Sequence, residues 1–139
     1  MAETLDEVMT HDPRTVELDD TVQDAARHMR DGDVGALVVT DRGSVAGVVT
    51  DRDIVVRAIA DGRRPGDARV RDVCTASAVT ATPTQSLEEA ARLMREHGIR
   101  RIPVVQDGRP VGIVALGDLA RRLDPHSALA DISEQPPQN

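Results

Sequence analysis

Apolar residues recur in the first third of the chain with the spacing of one helical face: Val22, Ala25, Ala26 and Met29. Thr21 stands before this stretch as an N-cap, and Asp24 follows three residues later, as in a capping box. Helices often end at a glycine, and Gly32 is the first one after this stretch. The pattern therefore predicts an amphipathic helix that begins after Thr21 and ends at Gly32.

Extended structure is predicted on both sides of this helix. The apolar runs at residues 37–39 and 45–49 are typical of short strands, and the polar residues 41–44 between them predict a turn. A second helix is expected from residue 51 towards residue 60. Before the first helix we expect a helical turn at residues 5–9 and a short extended piece at residues 16–18.

The whole pattern returns 65 positions later without a gap. Matching pairs include Val8 and Val73, Gly43 and Gly108, Gly47 and Gly112, Val49 and Val114, and Asp53 and Asp118. The helix start returns as well, with Ser86 and Glu89 in the places of a capping box. A shared helical period alone does not reproduce glycines and an aspartate in register. The chain is therefore an internal duplication of a β-α-β-β-α unit.

This duplication divides the chain into four segments. The first repeat covers residues 5–60, a linker rich in Gly, Arg and Pro covers residues 61–69, and the second repeat covers residues 70–123. The tail at residues 124–139 is rich in Pro, Ser and Gln, and we expect it to be partly disordered. One unit of this size has little core of its own, so we expect the two to share a core.

The stretch at residues 47–53 is the strongest candidate for a binding site. Thr50 follows a strand and is a good N-cap, and a helix N-terminus favours a phosphate. Asp53 lies on the same side of the turn, where a carboxylate can accept two sugar hydroxyls. Gly47 leaves room for a close approach to the backbone. The alternative is a capped helix with a solvated first-turn aspartate.

Composition and charge narrow the range of partners. The chain has 139 residues, a formal net charge of −7, and no Phe, Tyr or Trp. Nucleic acid is disfavoured because it needs a basic face and usually aromatic rings. No apolar run approaches the roughly 20 residues that span a membrane, and the acidic N-terminus does not resemble a signal peptide. We therefore expect a cytoplasmic protein that binds neither nucleic acid nor membranes.

The remaining reactive residues do not form a recognisable site. Cys74 is the single cysteine, so an intrachain disulfide is impossible, and we expect it to be buried. The four histidines lack the spacing of metal ligands, and no Ser or Cys lies in a nucleophile motif. We therefore predict no metal site, no catalytic residues and no enzymatic activity.

Two units that each end in Gly-hydrophobic-X-Thr/Ser-X-X-Asp resemble a tandem pair of cystathionine-β-synthase (CBS) domains, the Bateman module. Residues 98–105 of the second unit resemble that family's strand preceded by basic residues. The resemblance covers residues 5–123. It implies an α+β fold in which two repeats pack sheet to sheet as a pseudo-twofold pair.

The resemblance also implies a main cleft that takes an adenosine-type ligand. Its residues are Thr50, Asp53, Val79, Thr80, Arg100, Arg101, Ile102 and Pro103. In this family the aspartate binds the ribose hydroxyls, the threonine approaches the phosphate, and the facing repeat supplies basic residues and a wall for the adenine. Val79 and Thr80 are expected near the base. The alternative for Arg100 and Arg101 is a surface salt bridge to Glu96 or Asp107.

The equivalent second cleft departs from the family pattern. It keeps the ribose carboxylate as Asp118 but has Ala115 in the place of the hydroxyl. Gly35 and Ala36 stand where the main cleft has its two arginines. Lacking both hydroxyl and cation, this weaker cleft is expected to hold a phosphate poorly, and one phosphorylated ligand per chain is predicted.

The function implied is that of a stand-alone regulatory module. It binds AMP, ADP or ATP, with NAD and S-adenosylmethionine as alternatives, forms a homodimer, and acts through a conformational change or on a regulated protein that the sequence does not identify. No cofactor beyond this ligand is expected. The alternative is a dimeric stress or scaffold protein whose clefts are vestigial.

Overall fold

The structure is a computed structural model, which describes residues 3–76 and 79–123. A 3-10 turn at Leu5–Glu7 precedes the first strand, and a π-helix at Val55–Ile59 directly follows α2. The strands are β1 (Thr10–His11), β2 (Thr15–Glu17), β3 (Ala36–Asp41), β4 (Ser44–Thr50), β5 (Thr75–Ala76), β6 (Arg101–Gln106) and β7 (Arg109–Ala115). The α-helices are α1 (Val22–Gly32), α2 (Asp51–Ile54), α3 (Val70–Val73), α4 (Leu87–His97) and α5 (Leu116–Leu123).

These elements form two compact units, each with a sheet and helices. The first unit contains residues 12–76 and 107–110, and the second contains residues 3–11, 79–106 and 111–123 of the described chain. The predicted α+β class is therefore correct, and so is the repeated order of strands and helices.

The first unit is built on a four-stranded sheet in the order β2-β3-β4-β5. β2 runs parallel to β3, and the other neighbours are antiparallel. The predicted turn between β3 and β4 is confirmed, with Arg42 and Gly43 both at positive φ, as a tight hairpin turn requires. Apolar side chains of the sheet and helices form the core, which includes Val22, Leu37, Val39, Val49, Val70 and Val73.

The second unit repeats this plan with a smaller sheet in the order β1-β7-β6. β1 is antiparallel to β7, and Ala81 forms a parallel bridge with Val104 in β6. Its separate core includes Leu5, Leu87, Ile102, Val104, Val114 and Leu119.

The compact units divide the chain differently from the sequence repeats. Residues 10–11 belong to the first repeat, but they pair with β7 in the second unit. Residues 75–76 follow the linker, but they pair with β4 in the first unit. The sheet of each unit is thus completed by a short edge strand from the beginning of the other repeat. Residues 61–69, predicted as a linker, belong to the first unit.

The predicted capping box is confirmed at α1, whereas at α4, its counterpart in the second repeat, only one of the two expected hydrogen bonds is present. Thr21 and Asp24 form a complete capping box, and α1 ends at Gly32 with Asp33 left-handed. Ser86 accepts the Glu89 N–H at 3.1 Å. The Glu89 carboxylate, however, accepts a hydrogen bond from the Gln85 amide at 3.1 Å, so the expected box is incomplete.

The tail at residues 124–139 lies outside the described residues. Within residues 3–76 and 79–123, no helix has the length and apolar character that crossing a membrane requires.

Candidate functional site

The first motif lies in the first unit, where β4 ends and α2 begins. Thr50 is the N-cap, and its hydroxyl accepts the Asp53 N–H at 3.1 Å. Asp53 Oδ2 in turn accepts the Thr50 N–H at 2.9 Å. The predicted N-cap is therefore confirmed, and Asp53 has a structural role as well, because this reciprocal pair satisfies two backbone donors of the helix start.

The second carboxylate oxygen of Asp53 has a different environment. Asp53 Oδ1 lies 3.9 Å from Arg57 Nε, which is beyond hydrogen-bond distance. The Arg57 guanidinium is held elsewhere: its Nη1 donates to the Val73 carbonyl at 3.0 Å and to the Cys74 carbonyl at 3.5 Å. Asp53 Oδ1 can therefore accept a ligand hydroxyl beside a cation that does not cover it.

Gly47 allows β4 and β5 to pack closely, a role that was not predicted from the sequence. A Cβ at this position would collide with the main-chain carbonyl oxygen of Thr75 in β5. The space left by the missing side chain is therefore occupied by the edge strand of the same unit. Gly112 has the equivalent position in the second unit, where the closest atoms belong to the flexible Met9 side chain.

The helix after the first motif contains a feature that the sequence did not reveal. Residues 55–59 form a π-helix, and three of its apolar side chains are exposed: Val55 by 57%, Val56 by 51% and Ile59 by 50%. Apolar side chains on a short helix are normally turned towards a core. An exposed apolar group of this kind is typical of an interaction surface.

The second motif lies in the second unit, between β7 and α5. The Ala115 N–H donates to Asp118 Oδ2 at 2.8 Å, as Thr50 does to Asp53. The other oxygen, Asp118 Oδ1, accepts a hydrogen bond from Arg121 Nη2 at 2.6 Å. Both carboxylate oxygens of Asp118 are therefore engaged within the chain.

The six other residues predicted for the main cleft all lie in the second unit. Arg100 and Arg101 are exposed, and neither forms an ion pair within residues 3–76 and 79–123. Glu96, one of their expected partners, instead lies 3.9 Å from Arg92. Both arginines thus keep their guanidinium groups available for an anion.

The apolar members of this set are more buried than the prediction required. Ile102 is fully buried in the core of the second unit, so it presents no exposed surface to a ligand. Pro103 is also buried, and its carbonyl accepts the Ala81 N–H at 3.0 Å. Val79 and Thr80 lead directly into Ala81, so the structure brings these segments together within one unit.

The residues predicted for the weaker cleft are divided in the same way. Gly35 and Ala36 lie in the first unit, where Gly35 accepts the Asp51 N–H at 3.0 Å and Ala36 pairs with Thr50. Asp118 lies in the second unit. The residues of each predicted cleft thus come from both units. That they form one binding site stays a prediction.

Two other polar features of the first unit lie outside the predicted site. Cys74 is half-buried and not fully buried as expected; this partial burial and the nearby Asp53 charge raise the pKa of its thiol. A cavity of about 630 Å³ is lined by Glu17, Leu18, Asp19, Asp41, Arg42 and Arg71. Its charges partly pair with one another, as Arg71 and Asp19 do at 2.7 Å.

The fold and the duplicated motif define a class of protein: two α+β repeats, each with an aspartate in the first turn of the helix that follows its central hairpin. The family model for the CBS domain matches residues 5–59 and 70–125, and the chain belongs to this family. The chain is 43% identical over 133 residues to the CBS domain-containing protein YhcV of Bacillus subtilis, an alignment that covers 93% of this chain and 94% of the relative.

Solved structures agree with this assignment. A conserved CBS domain protein from Thermoplasma acidophilum matches with a TM-score of 0.79 and 31% identity, covering 95% of this chain and 75% of that one. Hypoxic Response Protein I, crystallised with two coordinated zinc ions, matches with a TM-score of 0.76 and 34% identity, covering 86% and 98%. In the described part of the present chain, no three His, Cys, Asp or Glu residues are grouped to hold a metal.

Proposed function

We propose that this member of a family of regulatory modules binds an adenine nucleotide at one main site that contains Thr50 and Asp53. The observation that carries the proposal is the environment of Asp53 Oδ1. Its partner oxygen is fixed by the Thr50 N–H at 2.9 Å, and Arg57 Nε stays 3.9 Å away. The carboxylate is thereby oriented without being neutralised, which is what recognition of ribose hydroxyls requires.

The phosphate of the ligand is assigned to Arg100 and Arg101, with Thr50 at the helix N-terminus. Support comes from their exposure and from the absence of an ion-pair partner within the described chain. A guanidinium binds phosphate oxygens through paired, charge-assisted hydrogen bonds. Val79 and Thr80 are assigned to the base.

The ligand class follows from these groups. A carboxylate for ribose and two cations for phosphate favour AMP, ADP or ATP, with NAD and S-adenosylmethionine as alternatives. We further propose that the module acts in the cytoplasm, has no catalytic activity of its own, and passes its signal to a regulated protein.

The proposed assembly is an isologous homodimer. The exposed side chains of Val55, Val56 and Ile59 give each chain an apolar surface on a short helix. A twofold axis brings the same surface of two chains together, and this removes apolar area from water.

A thermal-shift panel of AMP, ADP, ATP, NAD and S-adenosylmethionine tests the binding proposal. Ligand at about 100 times its Kd adds roughly 2.7 kcal/mol to the free energy of unfolding. For a chain of this size, the melting temperature should rise by about 5 to 10 °C. No shift with any of these compounds at millimolar concentration would favour the alternative, a dimeric scaffold with vestigial clefts.

A further inference from the structure

The two motif carboxylates have nearly the same burial but different partners. The side chain of Asp53 is 15% exposed and that of Asp118 is 16% exposed, so solvent access does not distinguish them. In both motifs a backbone N–H fixes Oδ2, at 2.9 Å from Thr50 and at 2.8 Å from Ala115. The difference lies at Oδ1, the oxygen that a ligand hydroxyl has to reach.

An arginine occupies that oxygen only in the second motif. Arg121 Nη2 lies 2.6 Å from Asp118 Oδ1, which is a direct charge-assisted hydrogen bond. In the first motif the 3.9 Å separation from Arg57 Nε is too long for one, because Arg57 Nη1 is held by the Val73 carbonyl.

The register of the duplication explains why the first motif escapes this pairing. Arg121 matches Val56, 65 positions earlier, and valine offers a carboxylate no donor. Arg57 matches Arg122, which pairs with Glu3 at 2.5 Å and not with Asp118. The residue three places after each motif aspartate therefore decides whether Oδ1 of that aspartate is available to a ligand hydroxyl or already hydrogen-bonded to an arginine.

We infer that Arg121 closes the second motif to ligands by holding Asp118 Oδ1, and that it thereby determines which of the two motifs binds. The inference rests on the proposed function in that the ligand is taken to be an adenosine compound. This explanation for the weak second site is independent of the missing hydroxyl at Ala115. Restoring that hydroxyl would leave Asp118 paired with Arg121, whereas removing the Arg121 guanidinium would break the pair.

The test uses bare adenosine, because the second motif has Ala115 in the place of the hydroxyl that is assigned to the phosphate in the first motif. Calorimetry is performed on the full chain carrying Asp53→Ala, which weakens adenosine binding at the main site so that binding at Asp118 can be measured against it. Adding Arg121→Gln should create one adenosine site per chain, with an affinity about tenfold or more above that of Asp53→Ala alone. Adding Asp118→Asn to that double variant should abolish the new site.

Arg122→Gln in the Asp53→Ala background is the matched control. It removes a neighbouring, exposed arginine of α5 while the Arg121–Asp118 pair stays intact, so no site should appear. Arg121→Met keeps the apolar stem of the side chain and should give the same gain as Arg121→Gln. Circular dichroism and melting curves establish that each variant is folded.

The inference and the proposed function fail in different ways. If folded Arg121→Gln and Arg121→Met variants in the Asp53→Ala background gain no adenosine site, the inference is overturned, whatever the wild type does. If the wild type binds no adenosine compound, the proposed function fails. A site that then appears on removal of Arg121, and disappears with Asp118→Asn, would still support the inference.

Discussion

Arg57 Nη1 donates a hydrogen bond to the main-chain carbonyl of Val73 at 3.0 Å, and this bond ties the helical segment after the first motif to the chain that enters β5. The same guanidinium lies 3.9 Å from Asp53 Oδ1. One side chain therefore contacts both the segment before an edge strand and the surroundings of the proposed ribose carboxylate. A ligand that attracts or displaces Arg57 would also change the support of β5, which gives the proposed regulation a physical route.

Asp53→Ala is expected to affect both ligand binding and stability. Loss of the hydroxyl-accepting carboxylate should weaken AMP and adenosine alike, by about 10- to 100-fold. Loss of the capping box should lower the free energy of unfolding by about 0.5 to 2 kcal/mol. Calorimetry and urea denaturation measure the two effects.

Asp24→Ala is the control for this prediction, because Asp24 forms the same capping box with Thr21. It should cost similar stability and leave nucleotide affinity unchanged. Equal losses of affinity in the two variants would show that Asp53 acts through the fold alone.

Arg101→Ala separates phosphate recognition from ribose recognition. It should weaken AMP but leave adenosine almost unchanged, because only AMP carries the anion. The dependence of AMP affinity on ionic strength should also become flatter. Arg92→Ala, which removes an exposed arginine beside Glu96, should alter neither ligand. A parallel loss of AMP and adenosine in Arg101→Ala would contradict the assignment.

Gly47→Ala should destabilise the first unit strongly. The added Cβ meets the rigid Thr75 backbone and not a flexible side chain, so β5 has to shift. Overpacking of this kind costs about 1 to 3 kcal/mol, measured as the free energy of unfolding in urea. Gly66→Ala is the control, since its Cβ would lie 3.6 Å from the Gln23 side chain, an ordinary contact. Equal stability of the two variants would refute the proposed role of Gly47.

The sequence predicted those features that depend on residues close together in the chain. The Thr21–Asp24 capping box, the N-cap at Thr50 and the turn at Gly43 are local, and the duplication is visible because its copies align without a gap. It was not predictable that β1 joins the sheet of the second unit and β5 the sheet of the first, because strands of two residues show no hydrophobic periodicity. The sequence also did not reveal that Arg121 pairs with Asp118, since side-chain conformation decides this.

Stability in acid should depend on Asp72. Hydrogen bonds from the Arg69 N–H and the Arg63 guanidinium lower the pKa of Asp72 below its usual value of 3.8. A carboxyl whose pKa is depressed by folding stabilises the protein above that usual value, and the contribution is lost as the pH falls through the depressed pKa. Asp72→Asn should therefore lower the urea midpoint more at pH 7 than at pH 2.5. Asp61→Asn, at an exposed aspartate without a partner in the described chain, should change neither midpoint; a pH-independent effect of Asp72→Asn would contradict the linkage.

The proposed dimer depends on the apolar side chains of residues 55–59. Val55 and Ile59 are 57% and 50% exposed in the single chain, so charged residues there should be compatible with folding. In a twofold interface the same two substitutions place four carboxylates in apolar contact, and the cost of burying unpaired charge opposes association. The Val55→Glu/Ile59→Glu variant should therefore sediment as a monomer at concentrations where the wild type sediments as a dimer. Val34→Glu, at another exposed apolar residue of the same unit, should remain dimeric. A wild-type chain that sediments as a monomer, or a double variant that still dimerises, would show that this surface has another role.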